Sequence, residues 1–244
     1  MRGDAQACRD AWAGLTRREP GSHVRYVSET PVTRRPLKSR STGWAGFFSR
    51  NMLRIGLKPN TVSVISIVGA AAAGGAFLLA AREQPAWLFW LAGAAGVQFR
   101  LFCNLMDGLL AVEGGLKSPT GEMFNELPDR IGDALILVPL GYAGGTPWSI
   151  ALGWAAACGA VGTAYIRAMG AGLTGHHDFC GPMAKPHRMA AVTVLCFIMM
   201  ALDMTKHPLP ALTWGLALIV AGIFITCWRR IAHLAGSLKS NPRP

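Results

Sequence analysis

The stretch whose reading decides the fold runs NLMDGLLAVEGGLKSPTGEMFNELPDRIGD, from Asn104 to Asp133. It holds six of the chain's 13 acidic residues, Asp107, Glu113, Glu122, Glu126, Asp129 and Asp133, in a sequence of net charge +11. Apolar segments long enough to cross a bilayer lie on both sides of it. Carboxylates at a membrane boundary are costly unless a cation or a partner holds them, so they mark a functional site.

Working outward, the composition bounds the class. Of 244 residues 51% are hydrophobic and 15% charged. That is too apolar for an ordinary soluble domain and too evenly interrupted for a single anchor. Six stretches reach or approach the length of a transmembrane helix, which is about 20 residues. They lie at Thr61–Ala81, Ala86–Met106, Ile131–Gly145, Trp148–Met169, Met189–Met204 and Leu209–Trp228. The third and fifth are short and begin beside charged segments, so their helices are expected to extend past the apolar part. The fold class is therefore all-α: a polytopic integral membrane protein of six transmembrane helices, occupying residues 58–230.

Charge sets the expected orientation. Half of the 24 Lys and Arg residues precede the first span, and the turns near Arg82, Gly144 and Lys206 carry almost none. Lys117–Arg130, Arg167–Arg188 and Arg229–Arg243 carry most of the rest. The positive-inside rule puts both termini and the acidic segment on the cytoplasmic side, as in a bacterial-type inner membrane. Residues 231–244 then form a cytoplasmic tail.

The N-terminal 42 residues are Arg-rich and lack the apolar core of a cleavable signal, which reads as a disordered basic arm. From Gly43 to Leu57 the pattern changes. Trp44, Phe47, Phe48, Met52, Leu53 and Ile55 interleave with Arg50 and Arg54, the pattern of an amphipathic helix lying on anionic lipid. A basic arm can also bind nucleic acid, but in a polytopic membrane protein lipid is the simpler partner, and no nucleic-acid partner is expected. The six cysteines show no C-x-x-C spacing and read as small buried hydrophobes. His176 and His177 adjoin Asp178 in a loop, which leaves both a solvated loop and a metal site open.

Within the acidic segment, Asn104 and Asp107 share a helix face. Gly108 follows, where a missing side chain allows close approach. Gly114, Gly115 and Pro119 mark a loop. Then Glu122, Asn125, Glu126, Asp129 and Asp133 fall on one stripe of a helix turning about 100° per residue. Two helices presenting carboxylates and amides at the membrane edge make an oxygen cage, suited to Mg²⁺, Mn²⁺ or Ca²⁺ rather than zinc or copper.

These residues carry a resemblance. The segment resembles the signature of the CDP-alcohol phosphotransferases, D-x-x-D-G-x-x-A-R-x8-G-x-x-x-D-x-x-x-D, with Asp107-Gly108, Ala111, Gly121 and Asp129 in register. Leu57–Thr61 resembles the P-N-x-x-T element opening the first span. Tyr165–Ala168 resembles the end of the fourth helix, and Gly181–Arg188 the basic element before the fifth. The chain departs from the pattern at Asn104 and Asn125, which replace two aspartates, and at Val112, which replaces the arginine that meets the diphosphate. One reading is a rebuilt site. Glu122 and Glu126 would then restore charge, while Arg100, Lys117 or Arg130 would take the diphosphate beside Gly108, Ala111 and Gly121. The other is a site that has decayed. The six retained carboxylates favour the first.

The resemblance implies transfer of a phosphatidyl group from CDP-diacylglycerol to an alcohol acceptor in phospholipid biosynthesis, with release of CMP, by a homodimer using two Mg²⁺ or Mn²⁺ ions. Asn104, Asp107, Asn125, Glu126 and Asp129 would hold the ions, and Asp129 would serve as base. Arg167, Lys185 and Arg188 would line the acceptor side, their charge hinting at an anionic acceptor. Two further classes compete: a non-catalytic membrane protein on the same fold, and a small transporter. Transport predicts inverted repeats, whereas the acidic cluster occurs once.

Overall fold

A computed structural model describes residues 43–116, 120–205 and 210–240. The N-terminal arm lies outside the described residues. Among them the chain forms seven helices: α1 (Gly43–Arg54), α2 (Pro59–Ala80), α3 (Ala86–Glu113), α4 (Gly121–Ala143), α5 (Pro147–Thr174), α6 (Lys185–Thr205) and α7 (Ala211–Ser240).

Local chemistry explains the boundaries. Lys58 is extended and Pro59 occupies the first turn of α2, where its missing N–H costs nothing. Thr146 and Ser149 form a capping box at the start of α5: the Ser149 amide donates to Thr146 Oγ1 at 3.0 Å, and the Thr146 amide to Ser149 Oγ at 3.1 Å. Gly175 ends α5 in the left-handed region at φ 77°.

Five helices, α2, α3, α5, α6 and α7, are long and apolar enough to cross a membrane. The expected third span, α4, does not meet that standard. Its first thirteen residues include Glu122, Glu126, Asp129, Arg130 and Asp133, so only its second half is lipid-like. It begins at Gly121 rather than Ile131, and α3 runs on to Glu113, so both helices extend beyond their apolar parts as expected.

Small residues bring the helices together. A Cβ added at Gly96 would stand 2.9 Å from both the Ala73 Cβ and the Gly69 carbonyl oxygen, which fixes the close crossing of α2 and α3. Gly141 and Gly153 do the same for α4 and α5, where an added Cβ would meet the facing Cα at 2.9 and 2.8 Å. Phe77, Val97, Ile136, Leu137, Leu140, Met189 and Leu216 form the buried centre. Outward, Trp148, Trp214, Leu218, Phe224 and Trp228 are exposed, the surface expected to face lipid.

Short helix α1 rests on α3. Trp44 stacks on Phe102 with ring centroids 6.4 Å apart, and Phe48 meets the same ring edge-on at 5.4 Å. Ala45 is buried, and Met52 and Leu53 pack partly buried against the same cluster as Leu109 and Leu110, while Phe47 stays exposed.

Candidate active site

The polar ends of α3, α4 and α6 meet at one cavity of about 610 Å³, joined by α1, α5 and α7. Its two flanks differ in character. Trp44, Leu101, Phe102 and Leu105 make one apolar. The other carries Glu126 and Asp129 against five cations: Arg130, Arg167, Lys185, Arg188 and Arg230. A cavity so lined takes a ligand that is apolar at one end and anionic at the other.

The cations are not free-swinging. Lys185 Nζ pairs with Asp129 Oδ1, and Arg167 pairs with Glu126 Oε1. Arg130 reaches Glu126 at 3.6 Å and Asp129 at 3.7 Å. Arg167 also lies over the Phe179 ring at 5.6 Å. Arg230 donates from Nη1 to the Thr163 carbonyl at 2.6 Å and from Nε to the Cys180 carbonyl at 3.0 Å. Backbone acceptors thus position Arg230 without neutralising it, so its charge is available to a ligand.

Behind the cavity lies an ion-pair hub. Asp133 is fully buried; its Oδ1 accepts from Arg100 Nη2 at 2.8 Å and its Oδ2 pairs with Arg188. Arg100 Nη2 also donates to the Asp129 carbonyl at 2.9 Å. Gly132 makes this possible, because a Cβ there would stand 2.4 Å from Arg100 Nε. The expectation that Arg100 meets the diphosphate therefore fails. Its side chain is fully buried on Asp133 and does not line the cavity. Arg188 borders the cavity, but one of its nitrogens serves the same hub.

The other expected residues fall into four groups. Asn104, Asn125, Glu126, Asp129, Arg130, Arg167 and Lys185 share the cavity wall. Asp107 is buried just outside that wall, its Oδ2 accepting from Ser63 Oγ at 2.6 Å. Gly108, Ala111 and Gly121 do not line the cavity. Lys117 lies outside the described residues, as does the side chain of Glu122. Sequence reasoning missed Ser63, Thr163, Arg230 and the hub role of Asp133. Ser63 lies one turn into α2 and carries no motif of its own. Arg230 is hidden in the basic run closing the last span.

The donor set suits a hard divalent cation. The oxygens of Asn104, Asp107, Asn125, Glu126 and Asp129 are the ligand type such ions take, with no sulfur or imidazole among them. Asn104 points to a ligand as well: its side-chain nitrogen, a donor that suits an acceptor oxygen rather than a cation, is buried with no hydrogen-bond partner, although the residue borders the cavity. A buried amide left so is held for something the protein does not itself supply.

These features define a polytopic membrane protein with a cationic cavity opening beside apolar helix faces. No family model matches the chain. Known proteins do resemble it. The archaetidylinositol phosphate synthase of Aeropyrum pernix is 29% identical over 188 residues, covering 76% of this chain and 87% of that protein. The bifunctional IPC transferase and DIPP synthase of Rubrobacter xylanophilus is 38% identical over 112 residues, 46% of this chain, and the match spans only 24% of that longer protein. Among solved structures, the Mycobacterium tuberculosis phosphatidylinositol phosphate synthase in complex with manganese and citrate superposes with TM-score 0.67 at 23% identity, over 82% of this chain and 93% of that one. The same protein with CDP-DAG bound gives 0.64 at 22% identity, over 78% and 92%. The chain thus shares its fold with the Mycobacterium tuberculosis enzyme and is similar in sequence to the Aeropyrum pernix synthase over most of both chains.

Proposed function

We propose that the protein transfers a phosphatidyl group from CDP-diacylglycerol to a phosphorylated alcohol in phospholipid biosynthesis, releasing CMP. The observation that carries this reading is the cavity itself: an apolar flank for acyl chains beside five cations facing two carboxylates. That excess of positive charge exceeds what a neutral alcohol needs and suits a second phosphate.

The acceptor hydroxyl oxygen attacks the phosphatidyl phosphorus, the bond to the bridging oxygen breaks, and CMP departs with that oxygen. Asp129, nearly buried at the cavity wall, takes the hydroxyl proton once a ligand draws Lys185 away from it. Arg167, Lys185 and Arg230 hold the acceptor's phosphate and exclude water. Asn104, Asp107, Asn125, Glu126 and Asp129 would hold Mg²⁺ or Mn²⁺. When bound, such an ion neutralises diphosphate charge and stabilises the leaving oxygen.

The test is CMP release by the purified chain with inositol phosphate, glycerol phosphate and their unphosphorylated parents. Phosphorylated acceptors should be used at least tenfold better. Equal use of the unphosphorylated parents would remove the phosphate subsite from the account.

The site belongs to a variant branch of the family, in which Glu126 compensates for Asn125. Glu126 is the cavity carboxylate next in sequence to that amide, and it is held by Arg167 and Arg130. A charge-assisted contact contributes about 1.5–3 kcal/mol, roughly ten- to a hundredfold in rate. Glu126→Gln should lower turnover by that much and raise the Mn²⁺ requirement, and adding Asn125→Asp should restore part of both. Wild-type kinetics in Glu126→Gln would make the glutamate a bystander.

In the membrane, both termini and the α3–α4 connection face the cytoplasm of an inner membrane, with α1 lying in the interface. Support comes from the Lys and Arg distribution and from the exposed Trp44, Phe47 and Phe48. In a cysteine-free background, Leu116→Cys should resist an impermeant thiol reagent added outside intact cells and react after lysis. Reaction in intact cells would invert the topology. By the family resemblance the working unit is a homodimer, and a purely monomeric mass in a lipid nanodisc would contradict that.

A further inference from the structure

A second cluster lies away from the phosphoryl-transfer residues, where the α5–α6 connection meets the end of α7. Asp178 and Cys180 come from the connection and His233 from α7, and one potential ligand atom from each lies within 4.8 Å of the others. The Asp178 Oδ2–Cys180 Sγ distance is 3.2 Å, and Asp178 Oδ2–His233 Nδ1 is 3.3 Å. Metal–ligand bonds of roughly 2.0–2.3 Å in a tetrahedral site place neighbouring ligands about 3.3–3.8 Å apart. Two of the three edges are thus already close to that spacing. A separate cavity of about 620 Å³ opens here, lined by His176, His177, Asp178 and His233. His177 Nδ1 is buried without a hydrogen-bond partner.

We infer that Asp178, Cys180 and His233 form a binding site for a borderline transition metal of the zinc type, distinct from the all-oxygen site that serves hard cations. One carboxylate, one thiolate and one imidazole are the mixed donors that zinc and cobalt take and that magnesium does not. His176, His177 or water completes the fourth position. The ion clips the α5–α6 connection onto α7 directly behind the transfer cavity. There the Cys180 carbonyl positions Arg230, and Phe179, between the two ligands, packs on Arg167. The competing account is a cluster held by hydrogen bonds alone: the Cys180 amide donates to Asp178 Oδ1 at 2.8 Å and its thiol to Oδ2.

The test uses the reduced full chain in detergent, stripped with a chelator and titrated with Co²⁺ in excess Mg²⁺. One Co²⁺ per chain should bind, with the thiolate-to-cobalt charge-transfer band, and Zn²⁺ should abolish the band by displacement. Cys180→Ser should lose the band. His233→Ala, at an exposed position that tolerates truncation, should weaken Co²⁺ binding at least tenfold. The Asp107→Asn, Asp129→Asn double variant should keep the band, so loss of transferase function and loss of this site are read separately. Absence of the band in the wild type, its survival in Cys180→Ser, or unchanged affinity in His233→Ala would overturn the inference.

Discussion

Replacing Asp129 by asparagine should lower CMP release by about 10²–10⁴-fold, the range lost when a positioned general base is removed. The side chain is nearly buried at the cavity wall, so bulk water cannot easily replace it as proton acceptor. Its Oδ1 pairs with Lys185, and Arg100 and Arg130 approach it at 3.6 and 3.7 Å, so the carboxylate is held in place at the wall. Asparagine preserves the shape and removes the proton acceptor. Steady-state turnover at saturating substrates measures the effect. A loss smaller than tenfold would take Asp129 out of proton transfer and leave it as a ligand or a partner of Lys185.

Asp133→Asn should act on stability instead. The substitution leaves Arg100 and Arg188 buried against a neutral amide, and removing one member of a buried ion pair costs about 3–5 kcal/mol. For a chain of this size that corresponds to a fall in Tm on the order of 10 °C. The hub also ties α3, α4 and α6 together, so the transfer residues on all three helices should lose their register. Thermal unfolding in detergent checks this. A Tm within about 2 °C of wild type would mean that water reaches Arg100 and Arg188 and that the hub is not a structural element.

The architecture was legible because lipid restricts the choices: apolar length, Lys and Arg bias and the single acidic interruption leave few topologies. The extension of α4 past its apolar half followed from the polar stripe Glu122 to Asp133. The same stripe explains why this helix fails the apolarity expected of a span. The partner of each charged residue was not legible. Arg100 lies one turn before Asn104 on the same face, which in sequence makes it a ligand-binding residue. In the fold it turns to α4, where Gly132 leaves space and Asp133 needs a counter-charge. That pairing joins residues 33 positions apart, and no local pattern announces it. Ser63 on Asp107, 44 positions away, is the same case. The loop reading at His176–Asp178 stopped short for a related reason, because His233 reaches that cluster from α7.

The proposed phosphatidyl transfer in the cavity can be tested on the purified protein. The most direct measurement is CMP release from CDP-diacylglycerol by the purified chain with inositol phosphate, with and without Mn²⁺, beside the Asp107→Asn, Asp129→Asn double variant. The expected result is Mn²⁺-dependent CMP release by the wild type and none above background by the double variant. No release by a folded wild-type chain, with either phosphorylated or unphosphorylated acceptors, or equal release by the double variant, would contradict it.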